Sequence, residues 1–160
     1  MWNFLLPFFQ WSNNLWIGHA ISATTWAFPL IETIHILALA VMYGAMVLID
    51  LRLVGVGMRK QPVSLLASNL EPYMTWGLVV MLASGFLLFS AEALKCFDNA
   101  GFRFKMIVLV PAVLFQFTVF RRITHQEESK RSRPLGWLVS ALSMALWFGV
   151  GAGGRAIGFV

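Results

Sequence analysis

The chain has 160 residues, 59% of them hydrophobic and 12% charged, with a mean hydropathy of +0.75. A soluble domain of ordinary composition is about 25% charged, so too few charges are present to solvate a globule of this size, and the chain belongs in a lipid bilayer. The net charge of +5 does not point to nucleic acid, because the cations sit beside apolar runs, form no polar face and read as topology signals. Cys96 stands alone, which excludes an intrachain disulfide and the Cys-x-x-Cys pair of a membrane thiol enzyme.

Residues 1–26 carry Trp2, Phe8, Phe9, Trp11, Trp16 and Trp26, interrupted by Pro7 and Ser12-Asn13-Asn14. Neither half is long enough to span, and tryptophan favours headgroup level, so one or two short interfacial helices are expected. No Lys or Arg precedes Arg52, so the segment lacks the charged start of a secretory signal. Span 1 is expected over about 27–50, with Pro29 in its first turn and Gly55 and Gly57 favouring a stop. Residues 62–70 read as a short amphipathic lead-in, and span 2 opens at Pro72 to cover about 72–94. A turn is expected over Cys96–Gly101. Span 3 follows over about 102–122, where Pro111 should kink the helix and free a carbonyl. The polar stretch Thr124–Arg133 reads as a solvated loop, with His125 in it, before span 4 over about 135–158. The expected fold is a single all-α integral membrane domain over residues 1–160. It is an antiparallel four-helix transmembrane bundle with an N-terminal interfacial helical segment.

Eight cations fall on one side of this arrangement: Arg52, Arg59, Lys60, Arg121, Arg122, Lys130, Arg131 and Arg133. The other side holds Lys95, Arg103, Lys105 and Arg155. The positive-inside rule puts the larger group in the cytoplasm, so both termini are expected to face outward, which in a Gram-negative bacterium is the periplasmic side of the inner membrane.

Helices in lipid associate through close backbone approach and polar contacts. Gly149-x-x-x-Gly153 and Gly154-x-x-x-Gly158 on span 4, Ala40 and Gly44 on span 1, and Gly77 and Gly85 on span 2 are read as helix-packing positions. A docking face for another subunit is the sharper alternative. Asp50, near the cytoplasmic end of span 1, opposes the helix dipole there and so calls for a cation. Arg121 or Arg122 at the same depth on span 3 are the expected partners, forming a structural clamp.

Glu32 and His35, spaced i, i+3, share a face at the outer end of span 1. At 1.5 Å per residue, His35 lies about 9 Å below Pro29, within the hydrocarbon edge. Antiparallel topology brings Glu92, Lys95, Arg103, Lys105 and Arg155 to the same surface. An ionisable pair inside a span marks a functional site by default. A plain stitch between helices, worth roughly 0.6–2 kcal/mol, would also retain the histidine, and an acid in a first helical turn is favoured by the dipole and can pair with Arg155 or Lys105.

Four functional versions follow. Haem b would take His35 as a metal ligand and axial partner, with His19 or a methionine as the second and the outer Arg and Lys residues on the propionates. The paired histidines on facing spans that a b-type cytochrome uses are missing. Copper would draw on His and Met, but Met42, Met46, Met74, Met81 and Met144 read as gap-filling core. A di-iron carboxylate site needs two Glu-x-x-His pairs and the chain has one. A proton relay or quinone-headgroup site at Glu32 and His35 is the least demanding version.

Several segments together resemble a bacterial family of small polytopic membrane proteins catalogued as a domain of unknown function. They are Phe28-Pro29-x-x-Glu32-x-x-His35-x-Leu37-Ala38-Leu39, Asp50-Leu51-Arg52-Leu53-x-Gly55, Ser90-x-Glu92-Ala93-x-Lys95-Cys96, Phe102-x-x-Lys105-Met106, and Trp147 through Gly154-Arg155. The resemblance implies four membrane helices and the importance of Glu32, His35, Asp50, Lys105 and Arg155. It implies no activity. The functional expectation is a non-catalytic subunit of a larger, redox or respiratory, membrane complex, with lipid and other membrane subunits or further copies of itself as partners. The alternative is an electron-transfer protein holding haem b or quinone at Glu32 and His35, with Arg155, Lys105, Arg103 and His19 around it. A transporter or proton-relay component ranks third.

Overall fold

Four helices are long and apolar enough to cross a membrane: Ala27–Val54, Val63–Ala91, Ala100–Thr124 and Arg133–Phe159, here spans 1 to 4. The structure is a computed structural model that describes residues 3–57, 60–126 and 132–159. Trp2 of the aromatic segment and Arg59, Lys130 and Arg131 of the orientation count lie outside the described residues. The helices run antiparallel, so one end of the bundle carries both termini (the near end) and the other carries the loop after span 1 (the far end).

Span 1 stops where the glycines require it. Gly55 takes a left-handed backbone, φ +88°, and the Gly55 and Val56 amides return to the Arg52 and Leu51 carbonyls at 3.1 and 2.8 Å. That double return is a Schellman cap, which satisfies the last carbonyls of the helix. Span 2 differs from expectation. Pro62, not Pro72, precedes the first turn, and the lead-in is the start of one helix that runs through Pro72. Burial of Val63, Leu66 and Ala67 holds those turns to the core, and Pro72 forfeits only a bond to the carbonyl of Ser68, which is exposed. The expected turn at Cys96–Gly101 is largely helical, with a six-residue helix over Ala93–Asp98. Asn99 then caps span 3, its side chain accepting from the Phe102 amide at 3.0 Å. Span 3 continues past Pro111 and widens into a π turn over Gln116–Phe120.

Spans 1 and 2 pack as one hairpin and spans 3 and 4 as another, with span 4 also meeting span 1. Gly77 allows the first close approach: a Cβ there would stand 2.9 Å from the Met42 Cβ and 3.1 Å from the Ala38 carbonyl. Gly153 allows the second, a Cβ there standing 3.1 Å from the Lys105 Cα. At the far end Gly136 backs onto the Leu53 carbonyl and Ser140 Oγ donates to the Asp50 backbone oxygen at 3.1 Å. Met42, Met46, Ile49, Val63, Trp147 and Val150 fill the centre. Ile34, Leu37, Val41, Trp76, Val80 and Ile107 stay exposed, which suits helices wetted by lipid.

The clamp expected at Asp50 is not made. Asp50 is 0% exposed and faces Ser140 and Ser143 on span 4, away from span 3. Arg121 Nη2 instead lies 2.9 Å from Glu71 Oε1, and Arg122 is exposed with no ion pair among the described residues. His125 is not simply solvated, since its Nε2 lies 3.1 Å from Glu71 Oε2. The far-end tie therefore joins spans 2 and 3 through Glu71. Among the described residues neither Asp50 carboxylate oxygen has a hydrogen-bond partner of good geometry, nor does Ser143 Oγ.

The aromatic N-terminal segment forms two short helices, Leu6–Asn13 and Trp16–Ala23. Phe9 is buried edge-on against Phe89, Phe97 and Phe102, with ring centroids 5.2, 5.3 and 5.9 Å away. Ser22 Oγ donates to the Ala91 carbonyl at 3.1 Å, and Gly18 sits directly on the Ser90 carbonyl. These contacts fasten both helices across the near end of span 2.

Candidate functional site: a cavity at the near end

Below those helices all four spans line a cavity of about 530 Å³. Cofactor-sized ligands occupy sites of about 300–1,000 Å³. Its walls are mostly apolar, including Phe28, Ile36, Leu39, Leu88 and Val150, and its polar groups are Glu32, His35, Glu92, Cys96, Lys105 and Arg155. The antiparallel topology thus brings Glu32, His35, Lys105 and Arg155 to one chamber, as their positions in the sequence suggested.

His35 is held by span 2. Its Nδ1 lies 2.9 Å from Ser84 Oγ, whose single hydrogen is already directed at the Val80 carbonyl, 2.6 Å away. A serine hydroxyl has one hydrogen to give, so it accepts from His35 Nδ1–H. The lone pair of the neutral ring is then on Nε2. No hydrogen bond of good geometry is made by that atom among the described residues, although the Met81 backbone also comes within hydrogen-bonding range of the ring. The ring lies where a side chain on Gly85 would be, since a Cβ there would stand 3.1 Å from His35 Cε1. An imidazole fixed through Nδ1 and free at Nε2 is oriented to accept a proton or bind a metal ion.

Glu32 lines the cavity one turn away. It makes neither the hydrogen bond to His35 nor the pairing with Lys105 or Arg155 that its position allowed, and it has no other partner among the described residues. Lys105 comes from span 3, half-buried, with its ammonium beside Gly154 and within electrostatic range of His35 and Cys96. No carboxylate lies within 4 Å of it among the described residues. Arg155 is exposed, its guanidinium stacked 4.8 Å from the centre of the Phe159 ring.

A family profile described as a family of unknown function, DUF6644, matches residues 8–160. The chain belongs to the DUF6644 family. No curated protein and no solved structure matches it.

Two of the residues expected at the site of this DUF6644 protein lie elsewhere. Arg103 points to the short helix before it, with Nε and Nη2 donating to the Phe97 carbonyl at 3.1 and 2.7 Å and Nη2 3.6 Å from Asp98. It closes that helix's C-terminus and does not line the cavity. His19 is exposed on the second N-terminal helix and does not line the cavity either. Two residues that sequence reasoning passed over belong there. Ser84 orients His35, and Gly151 forms part of the span 4 wall. The only trace of Ser84 was a serine beside Gly85 at the depth of His35, and serines in apolar helices most often bond their own backbone.

At the cavity's rim Glu92 and Lys95 form an ion pair, one turn apart, which holds the lysine's pKa above its ordinary value. Cys96 lines the cavity nearby, and burial pushes its thiol up to about 11, so it is a neutral thiol at physiological pH. Among the described residues no three of His, Cys, Asp and Glu converge. A metal at His35 would therefore bring most of its ligands with it.

Proposed function

We propose that this DUF6644 protein is a subunit of a redox assembly in a bacterial inner membrane, and that its near-end cavity holds an electron-transfer cofactor, haem b or a quinone, against His35. One observation carries the reading. A chamber of cofactor size lined by all four spans contains an imidazole whose Nδ1 meets Ser84 and whose Nε2 makes no hydrogen bond of good geometry among the described residues. A histidine retained only as a helix stitch would need neither the chamber nor the free nitrogen. The excess of Lys and Arg at the far end supports a cytoplasmic far end and periplasmic termini, and the cavity would then lie under the periplasmic surface. Among the described residues the elements outside the spans are short: Asn3–Leu5, Leu6–Asn13, Trp16–Ala23 and Ala93–Asp98. This supports a role as part of an assembly that supplies the electron donor and acceptor.

The test is a visible spectrum of the protein purified in mild detergent, oxidised and dithionite-reduced, with solvent extraction of bound quinone from the same sample. The expected result is a Soret band or a near-stoichiometric quinone, lost in His35→Ala, in a protein that co-migrates with larger partners on a native gel. A protein that is folded, colourless and free of quinone when isolated with its partners would overturn the reading.

A further inference from the structure

We infer that the cavity is shaped and charged for a planar ring that carries an acid group, a carboxylate-bearing tetrapyrrole of the haem b type, with Lys105 taking the acid and an open glycine face of span 4 lying along the ring. This rests on reading the cavity as a cofactor site and decides between the two cofactors named for it.

The glycines of span 4 serve two different purposes. At Gly149 and Gly153 a Cβ would meet Val108, Phe104 and Lys105 at 3.0–3.3 Å, so these two allow span 3 to approach. Gly151, Gly154 and Gly158 turn to the cavity instead. At Gly151 and Gly158 a Cβ would meet nothing within 4 Å, and at Gly154 it would meet only the Lys105 side chain, at 3.6 Å. Glycine weakens a helix relative to alanine, and helix packing does not account for it where no neighbour is near. A run of bare backbone facing a chamber of about 530 Å³ gives a ring system a flat wall with no side chain to clear. His35, with its free Nε2, lines the same chamber from span 1.

Lys105 supplies the charge. Lys105 is half-buried, and an ammonium partly withdrawn from water is favoured by an anion beside it. Glu92 is occupied by Lys95, and Glu32 is more than 4 Å from any cation among the described residues. Lys105 and Arg155 line the cavity together with those two acids and Cys96. A neutral quinone would accept a hydrogen bond from Lys105 and leave its charge uncompensated. A carboxylate on the ligand would do both.

The test uses the full chain in mild detergent, produced without haem, titrated with ferric haem b and separately with its dimethyl ester, in which both acids are blocked. Wild type should shift the Soret band of each and bind the free acid at least tenfold more tightly. Lys105→Met should lose that preference, Lys105→Arg should keep it, and Gly151→Leu should bind neither while eluting normally on gel filtration. Equal affinity of wild type for acid and ester would overturn the inference and leave the cofactor site standing. Retention of the preference in Lys105→Met would do the same. If wild type binds a short-chain benzoquinone at His35 but neither haem, the inference fails and the proposed function survives. If it binds none of the three, both fail. Should Lys105→Met not fold, the comparison of acid with ester on wild type decides alone.

Discussion

Gly151 and Gly153 lie two residues apart on one helix and should respond oppositely to the same substitution. At Gly153 a Cβ would stand 3.0 Å from Phe104 Cδ1 and 3.1 Å from the Cα of Lys105. A backbone atom cannot swing aside, so leucine there must push span 3 away. Overpacking of this kind costs about 1–3 kcal/mol and sometimes more, against a helix-propensity gain of up to about 1 kcal/mol over glycine. A net loss of about 1–2 kcal/mol corresponds to a melting temperature lower by about 2–8 °C in a chain of this size. At Gly151 nothing lies within 4 Å of the Cβ position. Leucine there keeps the propensity gain and projects into the cavity, so stability should hold or rise by a few degrees on the same scale while the space for a ligand shrinks. The assay is the fraction of protein still monodisperse on gel filtration after ten-minute heating steps in mild detergent. Equal losses in both variants, or a larger loss for Gly151→Leu, would refute the assignment of the two glycine faces.

Other substitutions test the remaining contacts. Asp50→Asn should leave the melting temperature unchanged or raise it, because no cation holds the carboxylate, whereas loss of a genuine buried ion pair would cost about 3–5 kcal/mol. Arg121→Ala should cost under about 1 kcal/mol, since its partner Glu71 and its own side chain are both reached by solvent. Ser84→Ala should cost about 1 kcal/mol of stability and weaken any His35-dependent ligand by about 10–100-fold, measured as a shift in the titration midpoint. Cys96 should react with a maleimide slowly at neutral pH and about tenfold faster per pH unit until its thiol ionises near 11. A rate that levels off below pH 9 would contradict the burial of the thiol. Because the folded-state value lies above the ordinary 9.0, this group's contribution to folding is complete below pH 9 and is lost as the pH rises through 11.

The four spans were legible because a bilayer leaves few alternatives for apolar runs of this length, and because Gly55 stopped span 1 through a backbone conformation only glycine adopts readily. Pro72 misled the reading of span 2, since a proline looks like a helix start, yet burial of Val63, Leu66 and Ala67 outweighs the one bond it removes. The turn at Cys96–Gly101 hid a helix too short to carry a periodic signal. For the site, spacing along the helices was enough to bring Glu32, His35, Lys105 and Arg155 to one end. It could not give azimuth around each helix, which is why Asp50 was matched to span 3 when it faces span 4, and why Arg103 was placed in a chamber it turns away from. Ser84 and Gly151 required the cavity itself, because their roles arise only from what stands opposite them.

The division into two hairpins bears on the order in which the molecule is put together. Each hairpin joins helices that are neighbours in the chain, so each can form in the membrane from local contacts soon after its second helix is inserted. The cavity is different, since its walls come from both hairpins and it has no existence until they dock through Asp50, Leu53, Gly136 and Ser140. A ligand that fits the completed chamber therefore stabilises the docked state alone, by an amount that grows with its concentration over its dissociation constant. Chains that acquire the ligand would resist separation of the two hairpins more strongly than chains that do not.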